Sequence, residues 1–125
     1  MKLLRFVNLA DRADKESTGL PFGLQRYLEI ARALATEPKL LLLDEPASGL
    51  DPTESRGLGE LILKVRDRGI TVLLVEHNMK VAMEISDEII VLNYGRNIAN
   101  GTPKEIQNDP VVISAYLGDE SYAED

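Results

Sequence analysis

Residues 40–46 read Leu-Leu-Leu-Leu-Asp-Glu-Pro, four apolar positions, two carboxylates and a proline. An unbroken apolar run of this length predicts a strand over 40–44, buried on both faces and stopped by the proline. Upstream, residues 2–8 read as the end of a helix and 11–19 as a polar connection. Residues 24–36 have a helical period, with Leu24, Leu28, Ala31 and Ala35 on one face. Asp51-Pro52-Thr53-Glu54 opens another helix, with Asp as N-cap, Pro at the first position and Glu at the third. Leu58, Leu61, Ile62 and Val65 keep its apolar face, and Gly69 ends it. A second buried strand is expected over Thr71–Val75, a short helix over 79–86 and a third strand over 88–93. Tyr94-Gly95-Arg96 turns the chain into a weak fourth strand around 97–99. Thr102-Pro103-Lys104-Glu105 repeats the capping box, and Asp109-Pro110 opens a last helix that Gly118 closes. Alternation of strand and helix predicts an α/β fold with a parallel sheet.

Composition narrows the function classes. A chain of 125 residues can bury a real core, and 44% hydrophobic with 28% charged residues is ordinary for a globular protein. Cysteine is absent, which excludes disulfides and thiolate metal sites and fits a reducing compartment. No apolar run approaches the roughly 18 residues of a membrane span, and the N-terminus does not read as a signal peptide. The net charge of −7 argues against nucleic-acid binding. Removing Asp119, Glu120, Glu124 and Asp125 takes it to −3, so the acidity is concentrated in a tail expected to be disordered over 119–125.

Chemistry enters at Asp44 and Glu45. Two adjacent acids at the end of a buried strand are costly unless they bind a cation or react. The only histidine, His77, follows the next strand. The carboxyl ends of strands in an α/β sheet are where ligands bind, and Asp44 and His77 both lie at such ends. A lone histidine there is also compatible with a structural or merely exposed side chain. Zinc does not fit, because two carboxylates and one histidine lack its usual spacing.

With residues 20–34 before it and His77 after it, the segment 40–46 resembles a Walker B motif followed by a catalytic glutamate. The chain resembles the C-terminal part of an ABC transporter ATPase domain, a P-loop (RecA-like) fold with a mostly parallel sheet flanked by helices. Leu20-Pro21-Phe22-Gly23-Leu24-Gln25 resembles the family's signature motif, Leu-Ser-Gly-Gly-Gln. Leu20 and Gly23 match within those five positions. Gln25, Ile30, Ala31, Arg32, Ala33 and Leu34 continue the match along the helix. Helix-end amides of this kind bind anions, and the resemblance implies that they face the nucleotide held by a partner subunit. Pro21 stands where the family has a serine that contacts the γ-phosphate, and it lacks an N–H. Phe22 stands where the family has a glycine.

The resemblance implies further roles. Asp44 holds Mg²⁺, mostly through a water, and Glu45 acts as general base. His77 is the switch histidine that touches the γ-phosphate and the attacking water. Leu20, Gly23, Leu24, Gln25, Ser48, Gly49 and Asp51 contact nucleotide. Ser48-Gly49-Leu50-Asp51 resembles the D-loop that crosses the dimer interface, although Asp51 reads equally well as an N-cap. No Gly-x-x-x-x-Gly-Lys-Ser/Thr occurs. The likeness runs from Met1 to about Gly118 but spans only half of a family domain. That suggests a truncated frame, and a chain inactive on its own. Residues 1–36 correspond to the end of the helical subdomain with its signature helix. Residues 37–118 correspond to the Walker B, D-loop and switch-histidine region with the C-terminal helices.

Toward the C-terminus, Val91-Leu92-Asn93-Tyr94-Gly95-Arg96, Gly101-Thr102-Pro103-Lys104-Glu105-Ile106 and residues 111–117 resemble the end of branched-chain amino-acid importer ATPases. Leu28-Glu29-Ile30-Ala31-Arg32 agrees. The resemblance implies ATP and Mg²⁺ as cofactors. It implies a second ABC ATPase subunit and transmembrane permease subunits as partners, and no nucleic acid. The implied location is cytoplasmic, on the inner face of the cell membrane through the permeases. Two alternatives stand beside it: a non-catalytic remnant that keeps the dimer face, and an ABC-type ATPase of DNA repair or translation. In the family a further strand lies between those matching Thr71–Val75 and 88–93. This chain should therefore expose unpaired strand edges, and should pair them together, borrow a strand or aggregate.

Overall fold

Two compact units, Met1–Val81 and Ala82–Asp125, make up the computed structural model, which describes residues 1–116. The expected closure of the last helix at Gly118 and the acidic tail 119–125 lie outside the described residues.

In the first unit the elements are α1 (Lys2–Phe6), α2 (Phe22–Leu34), β1 (Leu40–Asp44), α3 (Pro52–Asp67) and β2 (Thr71–Val75). The expected polar connection 11–19 contains two short 3₁₀ turns, Ala10–Arg12 and Ser17–Gly19. β1 and β2 pair in parallel, with Leu40 opposite Thr71, Leu42 opposite Leu73 and Asp44 opposite Val75. Helix α3 starts as its sequence dictates. The Asp51 side chain accepts from the Glu54 N–H at 2.7 Å, and Glu54 accepts from the Asp51 N–H at 3.1 Å. Such a cap contributes about 1 kcal/mol. Leu58, Leu61, Ile62 and Val65 are buried, as their spacing predicts. Arg68 is the C-cap, and Gly69 beyond it takes φ +89°, the left-handed stop. Val7, Leu9, Leu20, Ile30, Ala31, Leu34, Leu41, Ala47 and Val81 are the other buried apolar residues of this unit.

Two expectations need correcting. Helix α2 begins two residues early, and its buried residues are Ile30, Ala31 and Leu34. Ala35 is exposed, while Leu24 and Leu28 are half-buried. The packing comes from the C-terminal turns of α2, and Ala35 beyond them serves as the C-cap. The strands are also not buried on both faces. Leu41 is buried, but Leu40 and Leu42 are 50% and 65% exposed, and Leu73 and Val75 are each 55% exposed. Register partners point the same way, so these four side chains form one bare apolar face. Only the opposite face, with Leu41, Leu43, Val72 and Leu74, is covered or half-covered.

The second unit holds α4 (Met79–Ile85, which begins in the first unit), β3 (Ile89–Asn93), β4 (Arg96–Gly101), α5 (Pro103–Gln107) and α6 (Pro110–Tyr116). The weak fourth strand is six residues long and pairs antiparallel with β3 across the Tyr94-Gly95 turn, where both residues have positive φ. Thr102 and Glu105 form the expected capping box. Val91, Ile106 and Val112 are the core, packed by Met83, Ile89, Ile98 and Ala99. The Tyr116 hydroxyl donates to the Leu92 carbonyl. Among the described strands, β2 and β3 belong to different sheets.

Helices α2 and α3 meet closely at one point. A Cβ on Gly57 would lie 2.6 Å from the Tyr27 Oη, so any larger residue there must displace the Tyr27 hydroxyl. Burial, and after it the charges of Glu60 and Glu54, raise the Tyr27 phenol above its usual 10.0. In the window above 10.0 the unfolded chain releases this proton while the folded chain keeps it. Stability should therefore fall as pH rises through that window. Denaturant unfolding at about pH 9 and about pH 11 checks this: Tyr27→Phe should flatten the alkaline loss, and an equal loss in both proteins would contradict it.

Candidate functional site

Strands β1 and β2 end side by side, and their parallel register brings the chain segments beyond them together. The ladder runs one step past the strands: the Glu45 N–H donates to the Val75 carbonyl at 2.7 Å. Glu45 then takes φ +47°, a left-handed conformation that costs a non-glycine residue about 1 kcal/mol or more. The turn continues with Ser48 N–H donating to the Glu45 carbonyl. Its outcome is a contact across the two strand ends, with His77 Nδ1 2.9 Å from Glu45 Oε1. An ionised carboxylate only accepts, so Nδ1 carries the proton. Both side chains are largely open, 71% exposed for His77 and 46% for Glu45. An exposed pair of this kind holds itself together weakly, by about 0–1 kcal/mol.

The expected burial of the two acids does not occur. Asp44 and Glu45 are exposed, and Pro46 and Ala47 behind them are buried. A bare strand face leaves the strand's last residues in solvent, so the desolvation argument for their chemistry does not apply to this chain. What the fold supplies instead is a carboxylate and an imidazole in contact at the strand ends.

The remaining candidates are spread along the adjoining segments. Leu20 is buried in the core, and Gln25 Nε2 donates to its carbonyl at 3.0 Å, bracing the entry to α2. Leu24 and Gly23 sit in the first turn of α2. A Cβ on Gly23 would lie 3.4 Å from the Glu54 side chain. Pro21 is the N-cap residue and gives no side-chain cap. Asp51 is engaged in its capping box. Ser48 and Gly49 are exposed in the loop after Glu45. The α2 start holds that loop: Arg26 Nη2 reaches the Ser48 carbonyl at 3.5 Å, and its guanidinium lies 4.9 Å from the Phe22 ring centre. A Cβ on Gly49, which has φ +78°, would come 3.0 Å from the Phe22 ring. Phe22 thus packs on this loop, where the positive φ of Gly49 is what favours glycine.

Comparison with known proteins decides the family. The family model described as "ABC transporter" matches residues 1–48, and "Branched-chain amino acid ATP-binding cassette transporter" matches residues 96–122. The chain is 50% identical over 117 residues to the high-affinity branched-chain amino acid transport ATP-binding protein LivG of Salmonella typhimurium. It is equally similar to BraF of Pseudomonas aeruginosa, a protein of the same description. The chain belongs to the ABC transporter ATP-binding family. Each of these matches covers 93% of this chain but 46% of the relative, so the chain spans about half the length of the curated relatives it matches. The solved ADP conformation of MJ1267, an ATP-binding cassette of an ABC transporter, superimposes with a TM-score of 0.86 at 32% identity. That superposition covers 94% of this chain and 48% of that one.

Family members bind ATP with Mg²⁺, and the donor set of this cassette segment can be tested against both. Among the described residues no group of three or more His, Cys, Asp or Glu side chains is placed to hold a metal. A lone Asp44 is a poor all-protein cage but suits Mg²⁺, which takes one or two carboxylates, waters and substrate phosphates. The first amides of α2 suit an anion. No helix among the described residues is long and apolar enough to cross a membrane. The sequence reading of this cassette overlooked Glu76, whose carboxylate accepts the N–H groups of His77, Asn78 and Ala47. Its signal was there: an acceptor immediately before the candidate histidine, at a strand end that opens a helix.

Proposed function

We propose that this chain is part of the ATP-hydrolysing subunit of an ABC importer, resembling those for branched-chain amino acids. The contact between His77 Nδ1 and Glu45 Oε1 at the ends of two parallel strands carries the reading. Bound ATP with Mg²⁺ supplies the phosphoryl group and a concentrated positive charge. Asp44 is the residue to hold the metal. Glu45 orients the attacking water and takes its proton on the carboxylate. His77 holds the Glu45 carboxylate through Nδ1. Positioning of this kind is most of what phosphoryl transfer needs from a protein. The α2 amides around Phe22 and Gly23, with Leu20, Leu24 and Gln25 shaping the turn, face the nucleotide of a second ABC subunit. The loop Ser48-Gly49 and Asp51 lie toward that subunit. Permease subunits place the assembly on the inner face of the membrane. Residues 1–36 act as the end of the helical subdomain and 37–118 as the catalytic-core portion.

The test joins this chain to the remaining half of a LivG relative and measures phosphate release and nucleotide binding. Glu45→Gln should lower kcat by about 10²–10⁴, the usual contribution of a general base, and leave ATP binding intact. The chain by itself, which has no phosphate loop, should release no more phosphate than its Glu45→Ala variant. Wild-type turnover by the Glu45→Gln protein, or lost ATP binding, would overturn the assignment.

A further inference from the structure

Half-buried Glu76 joins the two strand ends through a single carboxylate. Oε1 accepts from the His77 N–H at 3.1 Å and the Asn78 N–H at 3.2 Å. Oε2 accepts from the Ala47 N–H at 3.3 Å. Ala47 is buried, two residues past Glu45, in the loop from the other strand. One oxygen therefore holds the turn that carries His77, and the other holds the loop that carries Glu45. On the strand side of the pair, the Glu45 N–H bond to the Val75 carbonyl makes the corresponding link.

The pair needs such a frame. Its two side chains are solvent-exposed, and an exposed pair does not fix its own geometry. Glu45 also sits in the left-handed region, which persists only where surrounding bonds over-determine it. We propose that Glu76 is a positioning residue for the hydrolytic site. Its two-oxygen bridge between Ala47 and the 77–78 turn keeps His77 Nδ1 on Glu45. The proposal rests on the hydrolytic reading of that pair. The Glu76 hydrogen bonds go to backbone N–H groups, so it acts on the pair through the backbone.

The bridge needs both oxygens. Glutamine keeps the size of the side chain but turns one acceptor into an NH₂ group, which faces a donor N–H on whichever side it points. Aspartate keeps both acceptors but is one methylene shorter, enough to cap the 77–78 turn and not to reach Ala47.

A direct readout exists because His77 is the only histidine of the chain. Nitrogen-15 spectra of its ring, at about pH 8.5 and above the ordinary histidine range, report which nitrogen carries the proton. The intact chain should show protonated Nδ1, and Glu45→Ala should lose that signature. Glu76→Gln should also lose it, and the Ala47 amide should exchange with solvent about tenfold faster or more. Glu76→Asp should free Ala47 in the same way while the amides of His77 and Asn78 stay protected.

The outcomes separate. If the intact chain already looks like Glu45→Ala, no pair exists and the hydrolytic reading falls, whatever Glu76 does. If the signature is present and Glu76→Gln keeps it with unchanged Ala47 exchange, the positioning role is overturned and the hydrolytic reading stands. If both Glu76 variants lose cooperative unfolding, the carboxylate is a general stability element and the positioning role is again overturned.

Discussion

Combining Leu42→Glu with Leu73→Lys should turn a self-associating chain into a monomer with little loss of stability. The two residues are register partners on neighbouring parallel strands, and both point to the face that the chain leaves bare. Leu40 and Val75 extend that face on either side. Each side chain is already at least half in water, so making it polar forfeits little of the burial that holds the unit together. Association is another matter. Covering apolar surface releases about 25 cal/mol per Å², and a second copy presents the same four side chains. Strand edges beside an apolar face add unpaired N–H and C=O groups, which is the arrangement that promotes edge-to-edge growth. Introduced charges oppose such growth, and opposite signs at the two partner positions keep the strand register. Size-exclusion chromatography with light scattering at tens of micromolar, followed by denaturant unfolding, measures both halves of the expectation. A wild-type chain that stays monomeric would refute it, as would a double variant that associates equally.

The same face explains where reading the sequence succeeded and where it stopped. The capping boxes at Asp51 and Thr102 were legible because they are local: a side-chain acceptor, a proline and a glutamate three positions on leave few alternatives. The apolar stripe Leu58, Leu61, Ile62 and Val65 was legible for the same reason, since one helix period suffices to define it. Four leucines in a row say that both faces of a strand suit an apolar neighbour. They do not say that the neighbour lies within the described residues, and for Leu40 and Leu42 it does not. The candidate pair was visible in outline, because Glu45 and His77 each follow an apolar strand. Its geometry was not. The positive φ of Glu45 and the bridge from Glu76 to Ala47 depend on how two strand ends are brought together, and no local pattern encodes a bond between residues so far apart. The packing of Phe22 on Gly49 is of the same kind. From the sequence Phe22 reads only as a departure from a glycine consensus, whereas in the fold it is part of the loop's support.

Leu58→Ala should cost the first unit about 3 kcal/mol or more and abolish the contact between Glu45 and His77 along with the fold. Leu58 is fully buried, with no exposed surface, on the inward face of α3. Truncating such a leucine loses the transfer free energy of the removed atoms and leaves a cavity that close-packed neighbours fill only in part, so about 2–5 kcal/mol is the usual range. Whole domains are stable by only about 5–15 kcal/mol, and a unit with one face of its sheet in solvent belongs at the low end. The loss should therefore be visible as a shifted or vanished unfolding transition, and the ring signals of His77 should move to those of an unstructured histidine. Leu42→Ala provides the contrast. It removes the same atoms from a position 65% exposed, where little burial is lost and no cavity opens. Its midpoint should lie close to that of the wild type. Equal destabilisation by the two substitutions would mean that Leu42 is covered in solution, and the bare face of β1 and β2 would have to be abandoned.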